Sequence, residues 1–472
     1  MTSRADWRAL SSKAPCLVFA AIVLATAPPA AAGLGQRDWV QIRAALGAVP
    51  PPFVHEASLF GHGDLTAEAW AMAGYSVSVS GDTAVVGAPQ ATGAGGLVGA
   101  SHVFVRSGGT WTEQQRIVAP DPHYNPVEPE SFGAAVSIYG NILVVGAPRH
   151  GYNPTGAVYV FVRTGSLWSF QQELQGSDAG YHAYFGSAVS ISSDTLVVGA
   201  PGIGFGPQPD YAGAAYVFTR PGAVWGEQQK LQASDGAAGD ALGRSVSVAG
   251  DTVVVGAPGA DSAAGADSGA AYAFLRTGVL WTQQQKLLPP EAGAAAEFGN
   301  AVALEGDTAV VAAHLADSAA GTDAGAAYVF ARTGAVWGLW QQLFASDAAP
   351  ALAFGEAASI SGDTIALGAM GGQGAAYVFA RSGSAWMEQQ ELQASDAAPG
   401  SLFGGSVSVA GDTLVVGAPG AGLGYIFTRA VDTWVEEQAL TPSDDVAYDD
   451  LGRAAALDGG HPGGRRTRRR DR

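Results

Sequence analysis

Of the 472 residues, the side chains best suited to recognition chemistry gather in one part of the chain: His123, Tyr124, His150, Tyr152, Tyr181, His182, Tyr184, Phe205 and Tyr211. Phenol, imidazole and benzyl groups present flat apolar faces, most with a polar tip, and such groups stack on and hydrogen-bond to a sugar or an extended peptide. A purely structural account would have the same rings cover one another. Comparable segments later in the chain are mostly Ala, Gly, Ser and Asp. Catalysis has less to work with. No Gly-x-Ser-x-Gly, His-Glu-x-x-His, phosphate loop or dinucleotide fingerprint occurs. The paired carboxylates Asp444-Asp445 and Asp449-Asp450 lie in a Ser/Asp-rich stretch, where solvated turns are the simpler account. The chain is therefore expected not to be an enzyme.

Residues 1–32 have the layout of an export signal: Arg4, Arg8 and Lys13, a mostly apolar run over 14–25, then Ala30-Ala31-Ala32. The apolar run is shorter than the roughly 20 residues of a spanning helix, so cleavage after Ala32 and a secreted or envelope location without a membrane span are expected. Cys16, the one cysteine, lies inside this segment, which leaves the mature chain no disulfide or thiolate chemistry. Of 24 basic residues, nine belong to the two ends; without those ends and their Asp6 and Asp471, 15 basic face 40 acidic residues. Such a body repels nucleic acid and anionic lipid.

Placing the aromatic segments requires the elements around them, and internal periodicity supplies these. Trp111, Trp168, Trp225, Trp281, Trp337, Trp386 and Trp434 recur 48 to 57 residues apart, each five residues after an Arg: Arg106, Arg163, Arg220, Arg276, Arg332, Arg381 and Arg429. Residues 243–287 show one unit, with runs at 245–249 and 252–256 flanking a Gly250-Asp251 turn, a third run at 270–275 and a fourth at 281–287. Four short antiparallel strands repeated seven times predict an all-β fold, a seven-bladed β-propeller of four-stranded antiparallel blades over 53–459 after a linker at 33–52. Each Trp and the Leu or Ile six positions later are expected on one strand face, filling the space between blades. The Gln pairs, such as Gln228-Gln229, are expected to make a polar outer edge.

Phe-Gly before the first strand (Phe132-Gly133, Phe185-Gly186, Phe298-Gly299, Phe354-Gly355, Phe403-Gly404) and Gly-Ala-Pro after the second (as at 87–89, 146–148, 199–201, 256–258 and 417–419) resemble FG-GAP repeats. That family forms the ligand-binding propeller of integrin α subunits and of many bacterial exported proteins. Ala73-Gly74, Leu242-Gly243, Leu451-Gly452, Ala312-Ala313-His314 and Gly368-Ala369-Met370 depart from the pattern. The resemblance also raises an alternative of eight blades, the last incomplete, because 53–59 resembles an orphan fourth strand and 451–458 an orphan first strand.

Integrin-like repeats commonly carry an Asp-x-Asp-x-Asp-Gly calcium loop between the first two strands. Here that connection is a bare Gly-Asp at Asp82, Asp251, Asp307, Asp363 and Asp412, each expected to accept hydrogen bonds from its own turn, while the pairs Asp261/Asp267 and Asp317/Asp323 have the wrong spacing. No cofactor or metal is expected, with calcium kept as the alternative. In a four-stranded meander the 2–3 loop and the connection to the next blade share one face, and that face varies. The resemblance thus implies a non-enzymatic recognition or adhesion module binding an extracellular protein or glycan there. The alternatives are an extracellular hydrolase at the propeller axis or a structural envelope protein; an acid/base cluster at the channel mouth favours the hydrolase and an off-axis aromatic patch favours binding. The basic tail, 460–472, is expected to be out-of-frame translation. Suitable synonymous codons for 459–472, shifted by one base, encode Gly-Asp-Thr-Leu-Val-Val-Gly-Ala-Pro, the missing continuation of the repeat.

Overall fold

The computed structural model describes residues 75–93, 96–122, 130–151, 154–203, 211–290, 293–441 and 454–456. The segments expected to be an export signal (1–32) and a linker (33–52), residues 53–59 and the basic tail lie outside them, as do His123, Tyr124, Tyr152 and Phe205. Within them seven four-stranded antiparallel blades span 76–117, 135–174, 188–231, 245–287, 301–343, 354–392 and 406–440, numbered blades 1 to 7. In blade 4 the strands are Ser245–Ala249, Thr252–Ala257, Ala270–Thr277 and Leu280–Leu287, in sequential order from inner to outer. No described residue is helical, and none belongs to a helix long and apolar enough to cross a membrane.

The order follows from local chemistry. Val-rich second strands such as Thr252–Ala257 are buried on both faces, because each lies inside its blade and between two neighbouring blades. Gly-Asp turns close the first hairpin with Gly250 at φ 57°, where glycine carries no side-chain penalty. Phe298 packs edge-on against Tyr328 and Phe330 of the third strand at 5.4 and 6.1 Å, and the arrangement recurs in blades 2, 3, 6 and 7.

Two sequence expectations need correction. Trp281 and Leu287, six apart, do not share a face: the fourth strand carries a bulge at which Phe274 pairs with Gln283 and Ala273 with Gln285, so the parity changes between them. Trp281 packs with blade 3 and Leu287 with blade 5. The Gln pairs do more than make the edge polar. Gln229 donates from Nε2 to the Trp281 carbonyl (2.7 Å) and accepts the Trp281 N–H on Oε1 (2.8 Å), while Gln228 accepts the indole N–H at 2.8 Å.

This two-bond clasp joins every successive pair of blades and also closes the ring, with Gln438 of blade 7 bonded to the N–H and carbonyl of Trp111 in blade 1 at 3.0 and 2.9 Å. Blades 7 and 1 thereby fill each other's edges and leave no place between them for an eighth. Residues 454–456 instead pair in parallel with 76–78 on the inner side of blade 1.

The turn aspartates also act differently from expectation. The carboxylate of Asp251 accepts Arg276 Nε at 2.6 Å, and the guanidinium also lies 5.2 Å from the Trp281 ring centre. Asp82, Asp307, Asp363 and Asp412 are engaged in the same way by Arg106, Arg332, Arg381 and Arg429. These oxygens neutralise the Arg that faces each Trp.

Candidate functional site

The 2–3 loops and the blade-to-blade connections emerge on one face, where the loops of blades 1 to 6 each meet the next blade through a parallel bridge such as Gly213 to Leu242. A repeated device pins that face. In blades 3 and 4 the third-strand hydroxyls of Tyr216 and Tyr272 donate to Asp178 (2.5 Å) and Asp235 (3.0 Å) of the connections, and Lys230 and Lys286 complete each triad at 2.7 and 2.8 Å. Burial alone would raise both carboxyls, but the lysine ammonium and tyrosine hydroxyl hold them below the ordinary range.

A carboxyl depressed by folding contributes stability that is complete above its unfolded pKa and is lost as pH falls through the folded one. Stability is therefore expected to decline below about pH 4, and modestly, since both carboxylates are half exposed. Urea midpoints measured between about pH 5 and about pH 3 should fall less for the K230M/K286M double variant than for the native chain. An equal fall would remove the triads from the account.

The structure separates the sequence-nominated side chains. Tyr181, His182 and Tyr184 come together on the connection into blade 3. The Tyr181 and His182 rings are 4.0 Å apart, and the Tyr184 hydroxyl is 2.8 Å from His182 Nδ1. Tyr181 is 54% exposed, His182 and Tyr184 are half-buried, and both of the latter adopt left-handed backbone (φ 56° and 52°). The Tyr184 N–H donates to the Pro154 carbonyl of the blade 2 loop at 3.2 Å, which ties the cluster to its neighbour. Tyr211, exposed, sits one interface further round, its carbonyl accepting from Ala241 N at 2.8 Å. His150 does not join them. It is buried beside Glu130 and Tyr159, and although burial opposes its charge, the hydrogen bond to Glu130 with Glu173 and Asp121 nearby raises its pKa.

Sequence reasoning missed the mouth of the central channel. The residue after each Phe-Gly or its substitute opens the inner strand there, and Tyr75, Ser187, Arg244, Asn300 and Glu356 line one depression on the axis. Behind them His314, in place of the proline of Gly-Ala-Pro, lies with Nε2 3.6 Å from Glu356 and 3.8 Å from Glu297. Burial pushes the Glu297 carboxyl up, opposed by His314 and Arg244. The signal was available: this position changes from unit to unit while its flanks do not, and His314 breaks the repeat. It took closure of the ring to bring five such positions together.

Comparison with known proteins agrees with this architecture. The profile of the FG-GAP repeat family matches residues 111–161, 168–218, 225–274, 281–330, 337–379 and 386–427, each match running from one fourth strand through the third strand of the next blade. No curated protein matches the chain. Among solved structures, a putative 6-phosphogluconolactonase from Bacteroides fragilis NCTC 9343 is similar at 9% identity and TM-score 0.52, covering 79% of this chain and 97% of its own. Sqt1 from Saccharomyces cerevisiae is similar at 13% identity and TM-score 0.45, covering 81% of this chain and 88% of its own. At 9% identity the first of these two speaks to the fold alone. The repeat matches cover more than half of the sequence, and the chain belongs to the FG-GAP repeat family.

Proposed function

We propose that this propeller is an exported, non-enzymatic recognition module that binds an extracellular protein or glycan through the face carrying its variable connections. The observation that carries the reading is the Tyr181–His182–Tyr184 cluster, an off-axis group of rings with one face in solvent and a backbone tied to the neighbouring blade. Rings held this way lose little conformational entropy on binding a sugar or a peptide. A glycan and surface-protein array probed with the chain identifies the ligand, and Tyr181→Ala combined with Tyr211→Ala is then expected to weaken binding at least about tenfold, as loss of aromatic anchors does. Both side chains are exposed, so thermal stability should change little. Undiminished binding by the double variant would overturn the reading.

One observation favours a second reading, a hydrolase at the axis: Arg244, Glu297, His314 and Glu356 form an acid/base group at the channel mouth. The hydroxyls beside it are committed elsewhere, Ser187 donating to the Tyr184 carbonyl at 2.7 Å and Ser245 to the Gly299 carbonyl at 2.7 Å, which leaves neither poised as a nucleophile. Turnover of chromogenic glycosides or esters that disappears in Glu356→Gln would establish this reading in place of the first.

A further inference from the structure

Blades 3 and 4 act as internal controls for blade 2. At the position where Lys230 and Lys286 neutralise the connection aspartate, blade 2 has Glu173, paired with Tyr159 as Lys230 is with Tyr216. The connection aspartate is retained as Asp121, four residues past Ile117 just as Asp178 is four past Leu174. Blade 2 thus carries a carboxylate where blades 3 and 4 carry a cation, and its loops bring two further groups to that place, His150 and Glu130. Blade 6 also carries a carboxylate there, Glu391, but without the added pair.

The geometry of the added pair is specific. The Glu130 side chain is fully buried and accepts from His150 Nδ1, and the Tyr159 hydroxyl donates to the same carboxylate at 3.2 Å. With its proton committed on Nδ1, the imidazole turns Nε2 toward Glu173, 3.9 Å away. One ligand atom from each of Asp121, His150 and Glu173 lies within 4.8 Å of the others. Ligand bonds of about 2.0–2.2 Å can be satisfied from such a triangle by a small contraction. A buried carboxylate that fixes the tautomer and orientation of a ligating histidine is the usual outer partner in metal sites.

We infer that blade 2 holds a divalent transition-metal ion of the zinc or cobalt type, bound by His150 Nε2, Asp121 and Glu173 and oriented by Glu130. One imidazole and two carboxylates suit such an ion, whereas calcium takes six to eight oxygens. Three protein ligands leave coordination open on the side of Asp121, which is exposed on the variable face. The ion would also fasten the 2–3 loop whose Pro154 carbonyl supports Tyr184.

The test titrates untagged, chelator-stripped protein with cobalt and zinc chlorides, by calorimetry and by the visible absorption of cobalt. One equivalent is expected per chain, with affinity in the micromolar range or tighter. Glu173→Lys recreates the triad of blades 3 and 4, so it should fold with native stability and bind at least about 100-fold more weakly. Glu130→Gln should lose about 10- to 100-fold. Should Glu173→Lys fail to fold, Asp121→Asn at the exposed position takes its place with the same expected loss. Absence of a stoichiometric site, unaltered affinity in these variants, or displacement of cobalt by a tenfold excess of calcium would each overturn the assignment.

Discussion

Replacing Trp281 by alanine is expected to lower the unfolding free energy by about 3–5 kcal/mol, the range for truncating a fully buried Trp. The ring is 2% exposed and packs against Val217 and Leu231 of the preceding blade, so the cavity opens at a blade interface. The indole N–H that meets Gln228 and the ring face beside Arg276 are lost together, leaving the half-buried Gln228 amide oxygen without that donor, while the guanidinium keeps Asp251 and loses only its aromatic contact. In a closed ring neither blade can slide to fill the gap without opening a clasp elsewhere. Val279→Ala, 78% exposed on the adjoining turn, is expected to stay within about 0.5 kcal/mol and serves as the control. Urea denaturation followed by tryptophan fluorescence and far-ultraviolet dichroism measures both, and a loss below about 1 kcal/mol for Trp281→Ala would show that the interfaces are more compliant than their packing implies.

Gly199→Ala is expected to cost about 1–3 kcal/mol although it adds a single methyl group. A Cβ at that position would stand 1.9 Å from the carbonyl oxygen of Gly243 in blade 4, and both partners are backbone. The two halves of the family signature therefore meet across a blade boundary: the Gly of Gly-Ala-Pro in one blade makes room for the Gly of Phe-Gly, or its substitute, in the next. The chain has performed the reverse experiment. At the equivalent place in blade 5 it carries Ala312, and there the next blade's first strand, Phe354–Ser361, is bulged between Phe354 and Ala358. The irregular segment thus lies against the extra methyl group, and it is the one that delivers Glu356 to the channel mouth. Denaturation of Gly199→Ala beside Ala312→Gly checks this pair; a Gly199→Ala midpoint equal to that of the native chain would mean that the boundary yields without rebuilding.

The amino-acid sequence alone determined the period, the four strands of each unit and the all-β propeller, because alternation and turn chemistry act between residues a few positions apart. The strand limits in blade 4 were legible to within two residues for the same reason. It also singled out one aromatic segment, of which Tyr181, His182 and Tyr184 do converge on the variable face.

What it could not determine depends on contacts between distant units. The bulge that turns Trp281 and Leu287 to opposite interfaces leaves no mark in a count of residues, since skipping one residue of a ladder changes parity without changing spacing. The clasp of Gln438 on Trp111 spans 327 residues and fixes the blade number at seven by filling both edges. His150 looked like its aromatic neighbours in composition, yet the fold buries it beside Glu130, apart from the exposed rings. Arg244, Asn300 and Glu356 occupy one position in three successive units, and only closure of the ring places them around a common axis. A repeat specifies each unit locally; the tertiary structure decides which variable positions face one another, because those distances are set by how many units close the circle.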